Sequence, residues 1–394
     1  MTYLQALSKR QRLGFSGAFL GALVIMGAGL LLRPAPKSSK EGTYTIAMSL
    51  RQVARPLGVT GKALARELKL PINTPKRKPL RKLGITQKKL DHAVHHLEGH
   101  RPSTVKYYVY AAVCLWWLVF LLLLGRPAGS TKKSTKKQRR SWYPRWPYLV
   151  ALVVALVAAG ILTGKSPNPM EGSVKLFKAL VGLYPSVAAK VLLFAFFAVL
   201  AVIGNKLVCG VACPFGALQE LVYSLPGLKK ARPIKPPFWV TNSIRAVLFV
   251  VALLLLFGVV GGRPGYVVYH VLNPFNLFNM DVEYTVTWVV IVGSVLIGFF
   301  FYRPFCQLIC PFGFLSWILE RISLFRVKVN PELCTECGAC DRACPLPAAD
   351  DRVKDKALPA DCFSCARCLK VCPTDAIRYQ FALTKFSGSR AEKK

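Results

Sequence analysis

Acidic residues are scarce in this sequence. Its 394 residues hold 18 Asp and Glu against 54 Lys and Arg, a formal charge of +36, and only 18% of the chain is charged. A soluble chain would normally sit near a quarter charged, so a soluble globular enzyme is not the simplest reading. Histidine is also rare, with five in all and none in a long apolar run. The bis-histidine sites of a b-type haem therefore cannot be built. No Gly-x-Gly-x-x-Gly opens a strand–helix unit, so no NAD site is indicated. No Ser/His/Asp or paired-carboxylate arrangement stands out. The 13 cysteines are too few for a small disulfide scaffold, yet eight of them fall between 334 and 372.

What is abundant is apolar: 53% of the residues. In such a chain the basic surplus reads first as membrane topology and not as a nucleic-acid footprint, so no nucleic-acid partner is expected. Six stretches, 14–32, 107–124, 147–163, 184–205, 246–262 and 284–302, are long and clean enough to cross a bilayer. Lys190 interrupts the fourth but lies near enough to its end to snorkel. The acid-free segment 126–145 carries Arg126, Lys132, Lys133, Lys136, Lys137, Arg139, Arg140 and Arg145, which predicts a cytoplasmic loop. By parity both termini are then cytoplasmic. The expected setting is the cytoplasmic membrane of a bacterium or archaeon, with the protein multi-pass and its first span a retained anchor.

The sequence divides into an N-terminal anchor (1–32), a basic extracytoplasmic helical domain (33–106), and the second span with its basic loop (107–145). A duplicated membrane unit (146–325), a ferredoxin-like domain (326–381) and a basic tail (382–394) follow. Within the helical domain Leu57-Gly-Val-Thr60 is echoed by Leu83-Gly-Ile-Thr86, each Thr being a helix N-cap candidate. His92, His95, His96 and His100 follow on the second helix, where His92 and His96 at i,i+4 offer a metal pair against the plainer reading of a solvated face.

The larger repeat pairs two hairpins. Their outer loops hold Asn168-Pro169-Met170 and Asn273-Pro274-Phe275. Their exits run from Lys206 through Cys209 and Cys213 to Pro-Phe-Gly216, and from Arg303 through Cys306 and Cys310 to Pro-Phe-Gly313, without a gap. This is an internal duplication. Four cysteines at i,i+4 in two copies predict an additional redox or metal centre, with Lys206 and Arg303 placed to favour anionic sulfur. Packing residues at two helix ends are the plainer alternative. Cys114 stands alone and reads as packing.

The strongest signal is C-terminal. Cys334, Cys337, Cys340 and Cys344 precede Pro345, and Cys362, Cys365, Cys368 and Cys372 precede Pro373. Each is the C-x-x-C-x-x-C-x-x-x-C-P run of bacterial ferredoxins, in which the fourth cysteine serves the other cluster. One [4Fe–4S] cluster is thus expected on Cys334, Cys337, Cys340 and Cys372, and a second on Cys362, Cys365, Cys368 and Cys344. Zinc is the alternative for isolated C-x-x-C pairs.

Paired C-x-x-x-C-P elements followed by a two-cluster ferredoxin domain resemble the NapH, NosR and CcoG group of membrane polyferredoxins, over roughly residues 140–380. The resemblance implies electron transfer between a quinol pool or cytoplasmic donor and an extracytoplasmic reductase or metal centre. A NosR-type flavin-attachment motif is missing, and no CcoG-type C-terminal immunoglobulin-like domain precedes Lys394, so the NapH-like pattern fits best. The expected fold class is a mainly α integral membrane protein of six transmembrane helices with a C-terminal α+β two-cluster domain. A metal-handling maturation factor, with soft thiolates suited to Cu(I), and a redox-sensing regulator are the alternatives.

Overall fold

The computed structural model describes residues 44–384 except 55, 58–60, 72–73, 76–77, 100–104, 125–144, 185, 226–233, 262–264, 280–281, 283 and 375. The expected first span, nearly all of the basic loop 126–145, His100 and most of the basic tail lie outside the described residues. Residues 44–99 form a small helical unit. Its helices are α1 (Leu50–Ala54), α2 (Gly61–Glu67) and α3 (Gln87–Gly99), with a 3-10 turn at Leu80–Leu83. Leu50, Val53, Leu64, Leu80 and Leu90 make a core of its own. Gln87 ties the unit's start to α3, donating to the Tyr44 carbonyl at 2.8 Å and accepting from the Ile46 N–H at 3.2 Å.

The main body begins with α4 (Val105–Leu124) and α5 (Arg145–Leu156), the latter running on into a π-turn at Val157–Ile161. The first repeat continues with α6 (Pro169–Leu180), α7 (Val187–Ile203), a π-turn at Val208–Ala212 and α8 (Pro214–Tyr223). The second has α9 (Phe238–Phe257), α10 (Val268–Val271), a 3-10 turn at Pro274–Asn279, α11 (Thr285–Ile297), α12 (Pro304–Leu308) and α13 (Pro311–Leu319). Helix α6 starts where Asn168 accepts the Glu171 N–H at 2.8 Å and Pro169 takes the first helical position.

The described residues do not build the five membrane-length helices expected of them. Among the described residues two helices are long and apolar enough to cross a membrane, Val105–Leu123 and Phe238–Phe257. The other apolar helices, Pro147–Ile161, Val187–Ile203 and Thr285–Ile297, have 10–17 residues. At 1.5 Å per residue they reach no more than about 26 Å, short of the ~30 Å of a hydrocarbon core. Of the two long helices, Val105–Leu123 is 67% buried by the protein itself, with Tyr110, Cys114, Trp117 and Phe120 in the main core. The six-span, multi-pass reading is overturned, and with it the parity argument that placed both termini in the cytoplasm. The cause is physical: composition does not report where a helix starts and stops, and the run 147–163 ends in a π-turn while the helix of 184–205 starts only at Val187.

The C-terminal region is a small α+β unit. Strand β1 (Phe325–Val329) pairs antiparallel with β2 (Ile377–Phe381), Val327 facing Tyr379. Between the strands lie α14 (Ala339–Ala343), α15 (Ala348–Val353) and α16 (Arg367–Val371). The two cysteine loops turn alike: Glu336 and Gly338 in the first, and Ser364 and Ala366 in the second, all take positive φ of 49–64°.

Candidate functional site

The tight loops project three sulfurs each, and the short helices α14 and α16 carry the fourth cysteine across to the other loop. Cys344, Cys362, Cys365 and Cys368 line one cavity together with Phe363 and Arg352. Cys340 lies within electrostatic reach of Cys334 and Cys372. The structure thus brings Cys344 to the three loop cysteines of the second run, and Cys372 near Cys340 and Cys334 of the first. The groups differ in exposure. Cys337 is exposed, and its thiol is held below the usual range chiefly by the Ala339 N–H that it accepts. Burial pushes Cys362 and Cys365 up to about 11.

The two hairpin exits converge on a second cavity. Cys209 and Cys213 from one repeat and Cys306 and Cys310 from the other line it, with Phe215 and Gly216 matched by Phe312 and Gly313. Met170 and Phe275, which end the Asn-Pro-Met and Asn-Pro-Phe loops, also line it. Those loops were expected on the far side of a membrane from the cysteines; instead both copies fold back onto them. Backbone geometry repeats as well. Lys206 and Arg303 both take left-handed φ, of 62° and 47°. Cys213 and Cys310 both precede a helix whose first residue is proline, and Cys310 Sγ accepts the Gly313 N–H at 3.4 Å. All four cysteines lie at the edge of the main core. Burial pushes Cys209 up to about 12 against the pull of Lys206, and raises Cys213, Cys306 and Cys310 as well. Thiols of this kind stay protonated at neutral pH unless a metal displaces the proton.

Lys206 and Arg303 were expected beside sulfur, and they are more fully committed elsewhere. Lys206 pairs with Asp361 and donates to the Gly313 carbonyl at 3.3 Å. Arg303 pairs with Glu220 at 3.0 Å and donates to the Cys209 and Gly210 carbonyls, the latter at 2.6 Å. Each carboxylate holds a second cation: Arg245 on Asp361 at 2.9 Å, and Arg367 on Glu220. Burial opposes ionisation of both carboxyls. Arg245 and Lys206 outweigh it at Asp361, and Arg367 and Arg303 at Glu220, so both sit below the usual carboxylate range. Asp361 adjoins Cys362 and Arg367 adjoins Cys368, so the network clamps one ferredoxin loop to both repeats. No motif signals these carboxylates in the sequence.

Among the described residues no three His, Cys, Asp or Glu side chains close on a point that would hold one metal ion. His92 and His95 are exposed on α3. Two cavities are lined by four cysteines each together with apolar side chains, a donor set of the soft kind that iron–sulfur groups take.

A family described as "4Fe-4S binding domain" matches residues 188–233 and again 285–331, one copy over each hairpin exit. A second, "4Fe-4S dicluster domain", matches residues 326–373. A protein of Escherichia coli named for electron transport, YccM, is 28% identical over 187 residues, 45% of this chain and 52% of that protein. The methylamine utilization ferredoxin-type protein MauN of Methylobacillus flagellatus is 24% identical over 212 residues, 51% of this chain and 70% of MauN. The regulatory protein NosR of Pseudomonas aeruginosa is 28% identical over 157 residues, 37% of this chain and 21% of NosR. The chain spans about half the length of the first of these relatives. No solved structure matches. The domain matches and the names of YccM and MauN agree on iron–sulfur electron transfer. Over parts of its length the chain is thus similar to iron–sulfur proteins of ferredoxin type and to NosR.

Proposed function

We propose that this chain is an iron–sulfur electron carrier of NapH type, passing electrons between a quinol or cytoplasmic donor and an extracytoplasmic partner reductase or metal centre. Cys334, Cys337, Cys340 and Cys372 hold one [4Fe–4S] cluster, and Cys344, Cys362, Cys365 and Cys368 the other. A third centre sits among Cys209, Cys213, Cys306 and Cys310. Bound clusters supply one-electron chemistry, with potentials set by net charge, hydrogen bonds to sulfur and solvent exposure. The chain's own residues set those variables. Apolar walls of Phe215, Phe275 and Phe312 exclude water from the four-cysteine cavity, while the exposed Cys337 leaves the first ferredoxin loop open to a partner.

The observation that carries this reading is the cavity shared by Cys344 and the three loop cysteines 362, 365 and 368. Anaerobic purification followed by iron, sulfide and copper analysis tests it. Two cubanes require about eight iron per chain, and a third centre adds to that. Copper in place of iron would move the protein to the metal-handling class.

A further inference from the structure

Phe363 lines both cysteine cavities. It is the second residue of the Cys362–Cys365 loop, and it points into the seam between the repeats. The two repeat-equivalent cations lie over its ring, Arg303 at 4.8 Å and Lys206 at 5.5 Å from the centroid, and Tyr302 packs edge-on at 5.8 Å.

The loop around Phe363 is fastened at Asp361, Cys362 and Ser364. Asp361 pairs with Lys206 and Arg245. The Cys362 carbonyl accepts from Asn205 Nδ2 at 3.3 Å. Ser364 Oγ donates to the Gly204 and Asn205 carbonyls, and the Ser364 carbonyl accepts from Trp117 Nε1 at 2.9 Å. Gly210, inside the first Cys-x-x-x-Cys, lies under the Phe363 carbonyl oxygen so closely that any Cβ there would collide with it. Among the described residues, Cys334, Cys337, Cys340 and Cys372 line neither of the two cavities.

Resting on the proposed cluster assignments, we infer that Phe363 is the positioning residue that couples the two cavities. Cys209, Cys213, Cys306 and Cys310 would hold one centre and Cys344, Cys362, Cys365 and Cys368 another, and Phe363 would set their spacing for direct one-electron exchange, one being oxidised as the other is reduced, with no bond or proton moved. The Cys334, Cys337, Cys340 and Cys372 group stands at the outer end of this order and meets the partner.

Paramagnetic resonance of the full-length, metal-loaded protein tests this order. In the fully reduced wild type, the third centre should show magnetic interaction with a neighbour. That interaction should persist in Cys337→Ser and vanish in Cys365→Ser. Phe363→Ala should leave iron content unchanged but slow electron redistribution after partial photoreduction several-fold, and Phe363→Leu should restore most of the rate. Gly210→Ala should weaken the interaction by displacing the loop. A third centre whose interaction survives Cys365→Ser, or is lost in Cys337→Ser, overturns the order, and unchanged redistribution in Phe363→Ala overturns the role of that residue. Wild-type protein with no metal in the four-cysteine cavity overturns the underlying assignment itself, a result separable because it shows in metal content alone.

Discussion

At the residue scale, the two ferredoxin loops differ at one equivalent position. Gly338 and Ala366 each stand just before a short helix with φ of 64°. Glycine adopts this conformation freely, whereas alanine is strained there by roughly 1–2 kcal/mol. Gly338→Ala should therefore destabilise the loaded protein by about 1–2 kcal/mol, and its Cβ would also press on Arg342 Nη1 at 3.1 Å. Ala366→Gly gains a similar amount but loses a buried methyl worth about 0.8 kcal/mol, so it should fall near neutral. Denaturant unfolding followed by cluster absorbance compares the two. Charge is less forgiving. Glu220→Gln would leave Arg303, fully buried, with no carboxylate beside it. Breaking one side of a buried pair costs about 3–5 kcal/mol, and a shift in the unfolding midpoint of that size is expected.

At the scale of elements, the proposed cluster assignment has helices α14 and α16 each carry a run's last cysteine to the other loop, as Cys344 does in lining one cavity with Cys362, Cys365 and Cys368. Cys334→Ser and Cys372→Ser should therefore erase the same resonance signal, while Cys344→Ser and Cys362→Ser should erase the other. Two different signals lost from the first pair would refute the crossing. The small helical unit behaves otherwise. Its core around Leu64 and Leu90 is separate from the main one. Leu90→Ala should cost that unit about 2–5 kcal/mol while both ferredoxin signals stay unchanged. These elements also show what a sequence can reveal. The eight ferredoxin cysteines were legible because a cubane dictates ligand spacing locally. The duplication was legible because it is a comparison of the chain with itself. The span count was not: the 147–163 run becomes a helix ending in a π-turn at Val157–Ile161, and the 184–205 run begins its helix only at Val187. Nor was the return of Met170 and Phe275 to the cysteines, a long-range contact that no local pattern encodes.

At the scale of the whole molecule, the two repeats meet at one cavity and at one aromatic ring, that of Phe363. Each repeat contributes a loop residue (Met170 or Phe275), two cysteines and a Pro-Phe-Gly turn to one cavity, and a cation to one aromatic ring. Duplicated helices packed for stability alone have no need to bring the same residues from both copies to one point. If the four cysteines form a single site, removing one sulfur damages the same object as removing its counterpart. The effects of Cys209→Ala and Cys306→Ala on electron delivery to a partner should then be strongly non-additive, the double variant being little worse than either single one. Both ferredoxin signals should survive in all three proteins, because Cys209 and Cys306 belong to neither group. Two independent structural cysteines would give the opposite pattern, small losses that add in the double variant and track thermal stability rather than electron transfer. Measuring transfer rate and unfolding midpoint on the same three preparations separates the two cases.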